Sequence, residues 1–347
     1  MTNEQWEILL KTVNGKTPKN PVTGFIIDSP WLPGWAGVST MQYYSSEEIW
    51  FETNKKAIET FPDITFLPGF WSEFGMCTEP SAFGAKLVWN EYNLPHADKI
   101  ISNISEAGSL KIPNPKTDGL LPFVIQRLVN CQKSIQDMGH EIRFAIVRGP
   151  LNIASFLMGT TEFLMALMMD PENSHKLLDT ITKFTTNWLE FQKEKFPSIE
   201  GILVLDDIVG FVGDEECKEF AVPYIKKIFQ AFDSRLNFFH NDAQGLISTP
   251  YLTEMGVQLF NFSFEHSMKE IRELAGPDVA LIGNLPPRDV LAEGTPEQVK
   301  NETIKMVNDF GDKNRVIWSC GGGMPPNVST ENILIFKETI ENEIRNL

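Results

Sequence analysis

Eight short apolar runs, most of them ending in polar or special residues and separated by helix-length sequence, constrain this chain more than any other feature. The clearest is 236–242, LNFFHND, which ends in a histidine, an amide and a carboxylate. Buried parallel strands read as continuous apolar runs, and in closed α/β barrels the chemistry lies just past their C-terminal ends. The other runs are 22–28 (VTGFIID), 64–70 (ITFLPGF), 142–148, 201–207 (GILVLDD), 258–264, 279–284 and 315–320. Between them the apolar spacing predicts helices over 45–60, 119–138, 160–169, 171–196, 214–232, 250–255, 267–275 and 295–310, with a closing helix to Leu347. Pro223 kinks or divides the fifth of these. An amphipathic helix over 3–13 precedes the first run and covers the bottom of the fold.

Eight strands alternating with helices are the signature of a (β/α)8 TIM barrel, here one domain over 1–347. The competing architecture is a doubly wound open sheet. Against it, no Gly-rich dinucleotide fingerprint follows the first run, and the polar strand ends are spread along the whole chain. Residues 29–37, SPWLPGWAG, are too rich in Pro and Gly for a regular element and read as a loop. A long insertion over about 71–118 has the length of a functional lid, with 85–89 as part of a small hairpin.

Charge and cysteine usage narrow the function. Lys and Arg total 30 against 46 Asp and Glu, a net charge of −16, which argues against nucleic acid or an anionic membrane surface as partner. Four scattered cysteines without a CxxC pair read as reduced thiols. No apolar run reaches the ~18 residues of a membrane span, and the N-terminus lacks a signal peptide's basic start and apolar core. The expectation is a cytoplasmic protein that binds a small ligand or a basic or neutral partner protein.

In a barrel the strand ends gather Asp28, Arg148, Asp206, Asp207, His240, Asp242, Glu265, Asn284 and Cys320 around one funnel. Imidazole and thiolate are both good zinc ligands, which singles out His240 and Cys320, with Asp242 two residues beyond the histidine on the same side. Three protein ligands leave a position open, the mark of a catalytic zinc. The competing reading is a hydrogen-bonded core histidine and an inert buried thiol. Asp206 and Asp207 are either a proton-handling pair or a helix N-terminal acid with a solvated neighbour. Arg148 is an anion contact or a structural partner for an acid, and Asn284 a ligand contact or a turn residue. Glu73 and Glu79, in the insertion, either close over the site or are solvated loop acids. Trp31, Trp35, Phe70, Trp71 and Phe74 fall in the two loops that cap the funnel, which suits an apolar or aromatic small substrate.

GNLPP at 283–287, GTPEQV at 294–299, His240-Asn241-Asp242 and SCGGGMPPNVSTEN at 319–332 together resemble the uroporphyrinogen decarboxylase superfamily. WSEFG, EPSAFGA and RGPLNIASFLMG are similar to its corrinoid-dependent methyltransferase branch. The resemblance implies a (β/α)8 barrel. True decarboxylases of this family carry an arginine-rich loop after the first strand; here DSPWLPGWAGVS has no arginine, so a polyanionic porphyrinogen lacks its cationic partners. The methyltransferase branch implies zinc on a His-x-Cys pair and a later Cys. His240 and Cys320 match, and Asp242 stands where the first cysteine would be, giving a harder site suited to an oxygen substrate. The resemblance thus implies a zinc enzyme that moves a methyl group from a small, aromatic methylated substrate such as a methoxyarene to the corrinoid (cobalamin) of a partner protein. Asp206, Asp207 or Glu79 would bind substrate or protonate the leaving group, and Asp28, Trp35, Trp71, Arg148 and Asn284 would line the substrate. The alternatives are thiol methylation of the coenzyme M type, a decarboxylase-like lyase, and a non-catalytic ligand-binding barrel.

Overall fold

The computed structural model describes residues 1–346, and all eight apolar runs form strands. These are β1 (Val22–Ile26), β2 (Thr65–Leu67), β3 (Phe144–Arg148), β4 (Gly201–Leu205), β5 (Leu236–Asn241), β6 (Leu259–Phe262), β7 (Ala280–Leu285) and β8 (Val316–Cys320). They pair in parallel in the order β2-β1-β8-β7-β6-β5-β4-β3 and curl, with helices outside, into a (β/α)8 barrel. Pro68 follows β2 directly and has no N–H to continue the ladder, so that strand is the shortest.

The seam of the barrel is the gap between its two edge strands, β2 and β3, and side chains close it. Gln192, from the helix Pro171–Lys195, accepts from the Ile146 N–H (3.0 Å) and donates to the Ile146 carbonyl (2.9 Å), imitating a neighbouring strand. Glu79, on the short helix Thr78–Ala82, accepts from the Arg148 N–H at 3.1 Å.

Strand alternation divides the apolar residues into two cores. Leu203 and Leu205 of β4, Leu236 and Phe238 of β5, Leu259 of β6, Ala280 and Ile282 of β7 and Ile317 of β8 fill the interior. Their neighbours Val204, Phe239, Phe260, Leu281 and Trp318 face the helices. The N-terminal helix, Asn3–Val13, started by a Thr2–Gln5 capping box, plugs the interior with Trp6, Leu9, Leu10 and Val13. Trp6 meets Phe144 edge to face at 5.4 Å, and its indole donates to Glu200 at 2.6 Å.

One segment differs from expectation, and another divides where Pro223 predicts. Residues 29–37 are not a plain loop: Leu32–Ala36 is one helical turn, possible because Pro33 lies in its first turn and Gly37, at φ 83°, ends it in the left-handed region. The predicted helix over 214–232 is divided into Asp214–Glu216, a π turn at Cys217–Ala221, and Val222–Phe229, with Pro223 placed where its missing N–H costs nothing. The insertion over 71–118 holds Thr78–Ala82, an antiparallel pair of Leu87–Val88 with His96–Ala97, and a 3-10 turn at Ile104–Ser109. It is tied to the helix Pro150–Met158, whose Leu157 carbonyl accepts from the N–H groups of Ile100 and Ile101. Among the described residues no single helix is long and apolar enough to cross a membrane. Pro150–Met158 and Thr160–Met169 pass that test only together, bent by 110°.

Candidate metal centre

The inward columns of β4, β5 and β6 continue past the apolar core into polar residues. Leu203 and Leu205 lead to Asp207; Leu236 and Phe238 lead to His240 and on to Asp242; Leu259 leads to Asn261. Asp207, His240 and Asp242 therefore converge, each offering one ligand atom, with all three atoms within 4.8 Å of one another. His240 Nε2 lies 3.6 Å from Asp207 Oδ1 and 3.9 Å from Asp242 Oδ2. A zinc ion with bonds of about 2.1 Å places tetrahedral donors about 3.4 Å apart, so the two distances from His240 exceed that spacing by only tenths of an ångström.

The orientation of the imidazole is fixed from behind. Asn261 donates from Nδ2 to the Ile282 carbonyl at 2.8 Å, which turns its Oδ1 toward His240 Nδ1 at 2.7 Å. An oxygen there requires Nδ1 to carry the hydrogen. Nε2 is left with its lone pair facing the two carboxylates, as a metal ligand needs. His240 is buried, while the side chains of Asp207 and Asp242 are 37% and 44% exposed, which leaves the cluster open toward the funnel. The Asp242 N–H also donates to Asp207 Oδ1 at 3.1 Å. Burial holds the Asp207 carboxyl above its ordinary value, and the charge of Asp242 adds to this while His240 opposes it. A divalent cation would relieve the repulsion between the two acids, so one nitrogen and two oxygens fit a metal with at least one position left for substrate.

Cys320, expected as a ligand, does not share that sphere. It belongs to the outward column of β8 with Trp318, is fully buried in the outer core, and points its thiol toward the Gly322 carbonyl at 3.7 Å. Burial pushes that thiol up to about 12. Asp206 falls on the outward column of β4 for the same reason. Its oxygens accept from the N–H groups of Leu151 (2.9 Å) and Asn152 (3.0 Å), so it anchors the N-terminus of Pro150–Met158.

Arg148 continues the inward column of β3 and meets acids, as its structural reading anticipates. Its guanidinium reaches Glu73 at 2.9 Å and Glu79 at 3.5 Å, and both glutamates are buried rather than solvated. Burial raises the Asp28 carboxyl, and the charge of Glu73 adds to this, which ties Asp28 to the same group. Asn284 donates to the His266 carbonyl and so holds the loop after β6, and Glu265 accepts from the Gln244 side chain. Trp71 belongs to the interior core, its carbonyl accepting from Trp50. Trp35 stacks on Trp31 at 4.9 Å and donates to Thr330 at 3.0 Å, a helix-packing role away from the metal cluster. Asn261 and Glu73 are the functional candidates that the gathering of strand ends left out of the metal and substrate sets. Alternation along QLFNFSF was the signal for Asn261.

The fold and the sequence both have known counterparts. A solved methyltransferase from Methanosarcina mazei superposes with a TM-score of 0.79 at 15% identity, covering 96% of this chain and 97% of that one. A B12-independent methionine synthase from a Shewanella species superposes with a TM-score of 0.56 at 13% identity, over 94% of this chain and all of the other. At these identities the likeness is one of fold. In sequence, the uroporphyrinogen decarboxylase of Pseudoalteromonas translucida is 23% identical over 273 residues, 75% of this chain and 74% of that protein. That of Chloroherpeton thalassium is 27% identical over 181 residues, half of each chain. The sequence profile of one family spans residues 35–343, and on that match the chain belongs to the uroporphyrinogen decarboxylase (URO-D) family.

Proposed function

We propose that this URO-D family member is a zinc-dependent methyltransferase that moves a methyl group from a small methylated substrate, such as a methoxyarene, to the corrinoid of a separate protein. The observation that carries the reading is the cluster of Asp207, His240 and Asp242 at the barrel mouth, with His240 Nε2 turned toward both carboxylates. The solved neighbours named as a methyltransferase and a methionine synthase support methyl transfer on this fold. Decarboxylation of a polyanionic porphyrinogen is disfavoured by the arginine-free loop after β1 and by Arg148, whose charge is already engaged by two glutamates.

Bound zinc would supply Lewis acidity, drawing charge from the heteroatom that carries the methyl group. The chain's own residues do the rest. Asn261 holds the His240 ring, His240 and the two aspartates set the position and hardness of the site, and the buried wall beneath excludes water.

Zinc content of the purified protein tests this directly. Wild type should hold about one equivalent, His240→Ala should hold none, and Asp207→Ala and Asp242→Ala should bind much more weakly. Cys320→Ser should retain the metal, because its thiol lies on the other face of β8. A wild type that binds no zinc under reducing conditions, or that moves no methyl group from methoxyarenes to a reduced corrinoid protein, ends the proposal in favour of a metal-free lyase or a binding barrel.

A further inference from the structure

The two carboxylates of the metal cluster are followed by the same sequence pattern. Asp207 opens DIVG at 207–210 and Asp242 opens DAQG at 242–245, so each stands three residues before a glycine. The first tetrapeptide lies in the 3-10 turn Asp207–Phe211 after β4, and the second in the loop after β5. The two glycines meet. A methyl group built on Gly245 would stand 1.8 Å from the Gly210 carbonyl oxygen, and one built on Gly210 would stand 2.5 Å from the Ala243 Cβ. Neither glycine has a left-handed φ, so close approach, and not backbone conformation, is what excludes a side chain at either position.

Each loop is also held from behind. Asn152 accepts from the Ile208 N–H at 3.2 Å and ties the first loop to the helix Pro150–Met158. In the second, Asn241 accepts from the Ala243 N–H at 3.1 Å and donates to Ser248 at 3.2 Å, while His266 donates from Nε2 to the Gln244 carbonyl at 2.6 Å. Where the loops face each other, the Asp242 N–H donates to Asp207 Oδ1 at 3.1 Å, and three residues further on the glycines touch. The far side of Asp242 is closed by the loop after β8. A methyl group on Gly322 would come within 2.4 Å of Asp242 Oδ2, so this carboxylate lies against bare backbone. Glycine on glycine is the thinnest contact two chains can make, and here it stands beside the two acids that face His240.

We propose that the contact between Gly210 and Gly245 sets the separation of Asp207 and Asp242, and with it the size of the cation the site accepts. Carbon and oxygen in contact stand about 3.3 Å apart, so a side chain at 245 would part the loops by about 1.5 Å from the 1.8 Å that a methyl group would have. His240 Nε2 already lies 3.6 and 3.9 Å from the two carboxylates, against the about 3.4 Å between tetrahedral zinc donors, so a further parting of that size takes one acid out of reach. Both glycines are positioning residues that act through the aspartates.

Zinc and cadmium titrations of the metal-free protein test this. Gly245→Ala should weaken zinc binding by about 10–100-fold, the usual cost of disturbing the support of a ligand, and should weaken binding of the larger cadmium ion less. Gly210→Ala should also weaken zinc binding, and adding Ala243→Gly should restore it, because the methyl group that the new side chain meets is then gone. Gly323→Ala should change neither affinity, since nothing lies within 4 Å of a methyl group there. The Gly210 pair decides the matter if Gly245→Ala does not fold. The proposal rests on the metal centre of the function proposed above and not on its substrate. Zinc held as tightly by Gly245→Ala as by wild type, an equal loss of both ions, or a Gly210→Ala defect that survives Ala243→Gly overturns the role of the glycines and leaves the metal centre standing. A wild type that binds no zinc ends the metal centre itself, and this proposal with it.

Discussion

His240 has two ring nitrogens, and the Asn261 amide decides which of them faces the carboxylates. Replacing Asn261 by Leu leaves Nδ1 without an acceptor, so the ring loses both tautomer and angle. Zinc affinity should fall about 10–100-fold, the usual effect of losing such a supporting contact. Long-range proton–nitrogen spectra of the metal-free protein give an independent check. In the neutral ring of wild type the hydrogen should sit on Nδ1, and the same pattern in Asn261→Leu would remove the basis for its role. Asp206 makes the opposite prediction. Asp206→Ala frees two buried N–H groups at the start of Pro150–Met158 and should cost about 1–3 kcal/mol in urea unfolding, with zinc content unchanged. These two residues also mark how far the site was legible in the sequence. Gathering strand ends brought in His240 and Asp242 as ligands and Asp207 only as a proton-handling acid, and it counted Asp206 and Cys320 as equals of their neighbours. The two-residue alternation that sends Leu205 inward sends Asp206 outward, and the one that sends Ile317 inward sends Cys320 toward the helices. That rule was available for every strand, and it also selects Asn261.

At the scale of elements, the barrel depends on a seam that hydrogen-bonded strands do not close. β3 presents an open edge, and Gln192 covers it with a pair of bonds to Ile146 from a 25-residue helix. Gln192→Leu keeps the bulk but leaves the Ile146 N–H and carbonyl unpaired, and each such buried group costs about 1–3 kcal/mol. The variant should unfold at lower urea, and exchange of the Ile146 amide should accelerate more than that of Val204 on the fully paired β4; uniform acceleration of both would mean that the seam is not a local weak point. Sequence periodicity located the helix and the strand because each is set by its own apolar spacing. It could not locate the seam, since which glutamine of an amphipathic helix reaches a strand edge depends on packing between elements distant in sequence. Residues 29–37 went astray for a related reason: Pro and Gly punctuate, but Pro33 in a first turn and Gly37 after the last are also how a single helical turn begins and ends.

For the whole molecule, charge and burial fix the sign of the pH dependence. With a net charge of −16 the chain repels itself at neutral pH, and this repulsion weakens as protons are taken up. Asp28, Asp206 and Asp207 act in the same direction, because burial holds each carboxyl above its unfolded value. A group raised in this way contributes stability that is fully present at low pH and lost as pH rises through its folded value. Lowering the charge by acidifying from pH 8 should therefore stabilise the fold. His140 has the opposite sign. It is buried with Nδ1 unpartnered, and burial pushes its imidazole from 6.5 down to about 4. Its contribution is present above 6.5 and lost as pH falls from there toward 4, since the unfolded imidazole gains a proton that the folded one refuses. Stability should thus peak on the acid side of neutrality. His140→Phe removes one opposing group and leaves the other, the Met1 amine that burial pushes from 8.0 down to about 5, common to both proteins; the ring fits where His140 already meets Phe70 edge to face beside a cavity of about 370 Å³. In thermal melts with chelator at constant ionic strength, wild type and variant should rise together as pH drops from 8 toward 6.5. Below that the wild-type curve should bend down first, and curves that stay parallel to pH 4 would show that the buried imidazole does not set the acid limit.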